Sequence, residues 1–216
     1  MSKSVSRRAF LKTTAASAAM AMTAASYSRV LGANDRILLG QIGCGSRGVG
    51  AHMAGIHPFD KAENVEFVAV SDPWRIAREN AAAKIKEWYN REAKMFSSYR
   101  ELLALKEVDA VMIASCDHQH TTHLKAAAEA GKDAYCEKPL AKDMAGLVSA
   151  VDAVKKANSV VQIGTQLRSL PSFTGCRDLV KTGIFGTISR IEQCRNTEQP
   201  YWYSYVKEVK KEDVDW

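Results

Sequence analysis

The chain has 216 residues with 30 basic and 24 acidic side chains, and its net charge of +6 resembles that of a nucleic-acid binder. Five of the basic residues and none of the acidic ones fall in positions 1–33, so 25 bases face 24 acids in the remainder, which is nearly neutral at +1. The alkaline balance therefore belongs to one end of the chain, and no nucleic-acid partner is implied.

That end reads as an address. Lys3, Arg7, Arg8 and Lys12 precede an apolar run rich in Ala and Thr, with no acid before Asp35, which is the layout of a signal peptide. Ser6-Arg7-Arg8-Ala9-Phe10-Leu11-Lys12 fits the twin-arginine pattern S-R-R-x-F-L-K, so residues 1–33 are expected to send the folded protein to the periplasm through the twin-arginine export machinery. The apolar run is too short and small-residued to act as a stable membrane anchor. Cleavage after Ala25 and cleavage nearer Ala33 both fit.

Beyond the address, short apolar runs at 36–43, 64–72, 108–115, 132–137 and 159–166 alternate with helix-like segments at 46–56, 74–93, 98–106, 120–130, 142–157 and 171–182. Apolar strands separated by amphipathic helices specify crossover connections, hence an α/β fold with a Rossmann-like, doubly wound parallel sheet over 34–165. Such sheets bind ligands at the carboxyl ends of their strands. Residues 166–216 read as a linker helix and the start of an incomplete α/β second domain. A strand opening near Gly186 has no partners before Trp216, and an uncovered strand is unstable, so the sequence reads as a fragment of a longer frame.

The first strand runs into Gly43-Cys44-Gly45-Ser46-Arg47-Gly48, a G-x-G-x-x-G turn that opens a helix. Gly43 permits the tight turn, Gly45 lets the backbone approach a pyrophosphate, and Gly48 allows close packing, with the helix N-terminus facing the phosphates. Asp72 follows 24 residues after Gly48, at the end of the second strand, where its carboxylate can accept the adenosine ribose hydroxyls. The same charge repels a 2′-phosphate, so NAD is expected over NADP, although Arg75 lies close enough to blunt the preference.

Around the third strand end, Ser115-Cys116-Asp117-His118-Gln119-His120 and His123 crowd together. No spacing fixes the three histidines on one face, so a helix-start cluster near the nicotinamide is expected and no metal site. The five cysteines show no C-x-x-C pair and read as buried small apolar residues. At the fourth strand end comes Glu137-Lys138-Pro139, where the proline bars Lys138 from the helical region and holds it extended. A lysine so fixed has two readings, a solvated loop residue or a group that does chemistry.

The glycine turn, the stretch Asp109 to Ala141 and the stretch Val161 to Ser169, which holds Gln166, together resemble the Gfo/Idh/MocA oxidoreductase family, from about Arg36 to the last residue. The resemblance implies a Rossmann domain followed by an α/β domain that supplies the substrate site and often the oligomer contact. It implies that Lys138 lies near the nicotinamide and the substrate hydroxyl as an acid/base group, that Glu137 shapes the cofactor pocket, and that Asp117 and His120 border it. Ser46, Arg47, Ser115 and Gln166 fall at the same site. Cys116 departs from the proline often found in the family.

The activity so implied is NAD-dependent hydride exchange with a sugar or polyol, by a protein that is a homo-oligomer at full length. Two alternatives stay open: an NAD-dependent glycosidase working through transient oxidation and elimination, against which Lys138 argues, and a non-catalytic nucleotide-binding fragment.

Overall fold

The apolar run Ile37–Ile42 forms β1, and its neighbours in the sheet come from both halves of the chain. The structure, a computed structural model, describes residues 36–194 and 209–215. The twin-arginine motif and its apolar run lie outside the described residues.

Among the described residues six strands make one sheet: β1, β2 (Val65–Ser71), β3 (Lys94–Phe96), β4 (Ala110–Ile113), β5 (Asp133–Glu137) and β6 (Val161–Gly164), in the order β3-β2-β1-β4-β5-β6. Every pairing is parallel. Winding starts at β1, runs outward to β3, then returns to β4 on the other side of β1. This reversal opens a crevice above the carboxyl ends of β1 and β4, where doubly wound sheets hold their ligands.

Five of the strands fall where the apolar runs predict them. The sixth, β3, was not expected: three residues are too few to show a period, and two of them are exposed. The expected helix over 74–93 accordingly stops at Tyr89, where Asn90 adopts the left-handed conformation (φ 51°) that ends a helix.

The helices are α1 (Ser46–Met53, wound in wide π-type turns and closed by Ala54–Ile56), α2 (Arg75–Tyr89), α3 (Tyr99–Leu103), α4 (His120–Glu129), α5 (Met144–Ala157) and α6 (Pro171–Lys181). Local chemistry sets several ends. Asp143 caps α5 by accepting the Gly146 N–H at 2.7 Å, Asn158 ends it at φ 55°, and Pro171 starts α6 without the need of an N–H.

Strand alternation divides the core in two. Val68, Val111 and Ile113 pack with Leu102, Leu124 and Ala127 on one face, while Phe67 and Met112 pack with Met53, Ala81 and Ile85 on the other. Burial on both faces explains why the strands are continuous apolar runs. By contrast α6 buries none of its residues, and Gly186 to Cys194 run exposed and without regular structure. Among the cysteines, Cys44 and Cys136 are buried as expected, but Cys116, Cys176 and Cys194 are exposed. Cys116 lies in the loop after β4, and Cys176 lies on α6, which packs against no core.

No described helix is long and apolar enough to cross a membrane.

Candidate functional site: the crevice above the strand ends

At the end of β1 the chain turns through Gly43 with φ +88°, a conformation that L side chains rarely adopt. Its N–H donates to the Ser71 carbonyl at 2.8 Å, and a Cβ at Gly43 would stand 2.5 Å from the Ser115 nitrogen. The turn is thus wedged between the ends of β2 and β4. Gly48 is tighter still, because a Cβ there would lie 2.0 Å from the Gly43 oxygen. Gly45 differs from both, since among the described residues nothing beyond its chain neighbours and its own helix lies within 4 Å of an added Cβ. Space is left beside its backbone, at the start of α1, where Ser46 and Arg47 begin the helix with both side chains at the surface.

The turn is braced from below and from the side. Fully buried Gln41 donates from Nε2 to the Gly43 carbonyl at 2.9 Å. Asp72, just past β2, accepts the Cys44 N–H at 2.7 Å with one oxygen and the Trp74 N–H at 2.8 Å with the other. Each carboxylate oxygen retains capacity to accept one more hydrogen bond.

On the far side of β1 the loops after β4 and β5 are tied together. His120, 1% exposed, places Nδ1 2.7 Å from the Pro139 carbonyl and Nε2 3.0 Å from the Ser115 carbonyl. Ser115 Oγ lies 2.9 Å from His123 Nδ1, and the His123 ring packs on Tyr99. Burial, with His120, Arg100 and His118 nearby, pushes the His123 pKa down to about 4. His120 and His123 are therefore engaged with different partners, while His118 and Asp117 sit exposed on the turn between β4 and α4. No group of three potential ligands converges on a metal position among the described residues.

Glu137 ends β5 with its side chain 4% exposed, surrounded by donors. Arg47 Nε and Nη2 reach Oε1 at 2.8 and 2.5 Å, His52 Nε2 donates to the same oxygen at 2.9 Å, and the Lys138 N–H donates to Oε2 at 3.0 Å. Burial by itself raises the carboxyl pKa, but these hydrogen bonds and the Arg47 charge outweigh it and leave the group below its ordinary 4.5.

Burial also lowers the pKa of His52, opposed by the Glu137 contact, and its buried Nδ1 has no hydrogen-bond partner among the described residues. A charged ring would strand a second N–H there, so the contact is a hydrogen bond from a neutral imidazole rather than an ion pair. Gly164 makes room for this cluster, since a Cβ would come within 3.0 Å of the Glu137 carboxylate and the Tyr135 hydroxyl. Gln166 closes it: with its amide nitrogen turned toward the Gly164 carbonyl it donates there at 2.6 Å and its oxygen accepts from Arg47. Lys138 follows, exposed and joined to Pro139 by a cis peptide bond.

The profile of the Gfo/Idh/MocA oxidoreductase family, whose members carry an NAD-binding Rossmann fold, matches residues 37–165. This chain belongs to that family. An uncharacterized oxidoreductase of Bacillus subtilis is 29% identical over 174 residues, 80% of this chain and 48% of the relative. Inositol 2-dehydrogenase/D-chiro-inositol 3-dehydrogenase of Shouchella clausii is 35% identical over 109 residues, covering 50% of this chain and 30% of that enzyme. Among solved structures, the WlbA dehydrogenase of Bordetella pertussis in complex with NADH and UDP-GlcNAcA superposes with a TM-score of 0.61 at 25% identity, over 70% of this chain and 43% of its own. The chain spans about half the length, or less, of the curated relatives it matches.

For a Gfo/Idh/MocA chain the crevice fits NAD on its own geometry. The open space at Gly45 lies at a helix N-terminus, where backbone N–H groups suit a pyrophosphate, and Asp72 braces the same turn through the Cys44 N–H. The crevice brings Gly43, Gly45, Ser46, Arg47, Gly48 and Asp72 to one side, with Ser115, Glu137, Lys138 and Gln166 across from them. His120 stands behind the wall and holds two of its loops. His52 and Gln41 escaped the sequence reading, since a histidine in a helix and a glutamine in a strand carry no motif. Only their burial and their bonds to Glu137 and Gly43 mark them.

Proposed function

We propose that the protein is an exported NAD-dependent oxidoreductase acting on a sugar or polyol, with the Rossmann unit as its cofactor-binding part. The observation that carries this is Lys138. It stands exposed at the carboxyl end of β5, and its own N–H is pinned by Glu137, the residue that Arg47 of the glycine turn also grips.

Bound NAD supplies a two-electron hydride acceptor. The chain supplies the geometry and the proton path. A substrate carbinol held beside Lys138 would give up the hydrogen on its carbon as hydride and the proton on its oxygen to water or to Lys138 in its neutral amine form. The Arg47–Glu137 pair holds the lysine's backbone fixed, which favours a reactive alignment. Inositol 2-dehydrogenases among the relatives, and a UDP-sugar in one related structure, support a polyhydroxylated substrate.

The test is a panel of sugars and polyols screened for NAD reduction by the full-length protein, followed by Lys138→Ala on whichever substrate responds. NAD affinity should stay near wild type while the rate falls about 10²–10⁴-fold, the range for losing a positioned proton-transfer group. Lys138→Arg should restore little, because a guanidinium does not give up its proton. Turnover of the alanine variant within a few-fold of wild type would remove Lys138 from the chemistry.

A further inference from the structure

Residues 209–215 return to the turn that follows Asp72. Val214 makes an antiparallel bridge with Trp74, and the Asp215 N–H donates to the Pro73 carbonyl at 2.9 Å. The segment therefore lies against the two residues that follow Asp72.

Its acids then take hold of both arginines at the start of α2. Arg75 is gripped by Asp213 through Nη2 and by Glu79 through Nη1 at 3.0 Å. Arg78 donates to Asp215 at 2.6 Å and to the Asp72 carbonyl at 2.7 Å. Arg75 and Arg78 come three and six residues after the ribose-side carboxylate. A 2′-phosphate on that ribose would look for cations there, with the N-terminus of α2 adding its own attraction. Glu79 comes from the same helix, but Asp213 and Asp215 arrive from 138 and 137 residues further along the chain.

We propose that Asp213 and Asp215 are cofactor-discriminating residues, which withhold Arg75 and Arg78 from a 2′-phosphate and so enforce NAD over NADP beyond what Asp72 achieves by itself. Asp72 alone repels the phosphate, yet an arginine three residues away would offset that repulsion. With the guanidinium already neutralised by Asp213, an incoming phosphate meets two further carboxylates in place of a free cation. This deepens the NAD reading of the site and rests on it, but does not depend on the identity of the substrate.

The experiment is calorimetric titration of nucleotide-stripped intact protein with NAD and with NADP, for wild type, Asp213→Asn, Asp213→Ala and the double variant Asp213→Ala with Arg75→Ala. Releasing the Nη2 side of Arg75 from Asp213 leaves only exposed Glu79 on its other side and should tighten NADP about tenfold while NAD stays within about twofold, the scale of one charge-assisted arginine–phosphate contact. Adding Arg75→Ala should cancel the gain. The isosteric asparagine preserves the packing of the segment, so a folding defect in the alanine variant does not hide the result. An unchanged NADP/NAD ratio in Asp213→Asn, or a gain that survives loss of Arg75, overturns the proposal. If wild type binds neither nucleotide the site reading itself fails, whereas failure to oxidise any sugar leaves these ratios intact.

Discussion

Arg47 Nε donates to Glu137 Oε1 at 2.8 Å, joining the glycine turn after β1 to the end of β5 across 90 residues of chain. The link passes over the end of β4, which lies between those strands in the sheet. It fixes the width of the crevice on the side where Lys138 begins.

Because Glu137 is buried while Arg47 is 43% exposed, the two ends of this link should respond unequally. Glu137→Ala leaves His52 and the Lys138 N–H without their acceptor and should cost about 3 kcal/mol in urea unfolding. Arg47→Ala, discounted for solvent screening, should cost about 1 kcal/mol. Equal losses for the two would show that the carboxylate's other donors contribute nothing.

The three glycines of the turn should separate structure from ligand. Gly43→Ala and Gly48→Ala both force contacts below 3 Å with backbone, and each should destabilise the fold by about 2–4 kcal/mol. Gly45→Ala meets nothing within 4 Å among the described residues outside its own stretch of chain. It should melt within a degree or two of wild type yet bind NAD at least about tenfold more weakly, because the methyl group enters the space left for the pyrophosphate. Melting curves and NAD titrations of the three variants decide the matter, and a Gly45→Ala variant with wild-type affinity would place the pyrophosphate elsewhere.

Acid should weaken the fold in a defined window. His123 has its pKa pushed down to about 4, and that of His52 is lowered as well, both chiefly by burial, from an ordinary value of 6.5. Between those limits the unfolded chain binds protons that the folded one refuses, so stability is fully present above pH 6.5 and is lost as the pH falls toward 4. The depressed Glu137 carboxyl adds a further loss below its ordinary 4.5. Urea unfolding at pH 5 and pH 7 should differ by about 2 kcal/mol on account of His123, and His123→Gln should flatten the slope. A slope unchanged by that substitution would assign the acid sensitivity to other groups.

Export is open to a direct check. Replacing Arg7 and Arg8 together by lysine should hold the protein in the cytoplasm with its leader uncleaved, because the twin-arginine receptor reads both guanidinium groups. Fractionation and the mass of the recovered chain report the outcome, and normal export of the double variant would sink the assignment.

How much of this was legible beforehand follows from how far each constraint reaches along the chain. The glycine turn could be read because its demands are local: a positive φ at Gly43 and a close approach at Gly48 exclude other residues whatever surrounds them. Strands and helices could be read for the same reason, since burial on both faces writes continuous apolar runs into windows of four to seven residues. Asp72 was found by counting from the turn, and the sheet then placed it against Cys44. Short β3, paired only through backbone at an edge, left no such trace.

Pairings between distant side chains were decided by tertiary structure alone. Nothing in the sequence around Arg47 names Glu137, nor does anything near Asp213 name Arg75. Those contacts depend on strand order and on where a late segment docks, and hydrophobic period encodes neither. The sequence could therefore nominate Glu137 as a residue of the crevice, but only the fold supplied Arg47 and His52 as the donors that keep its buried carboxylate charged.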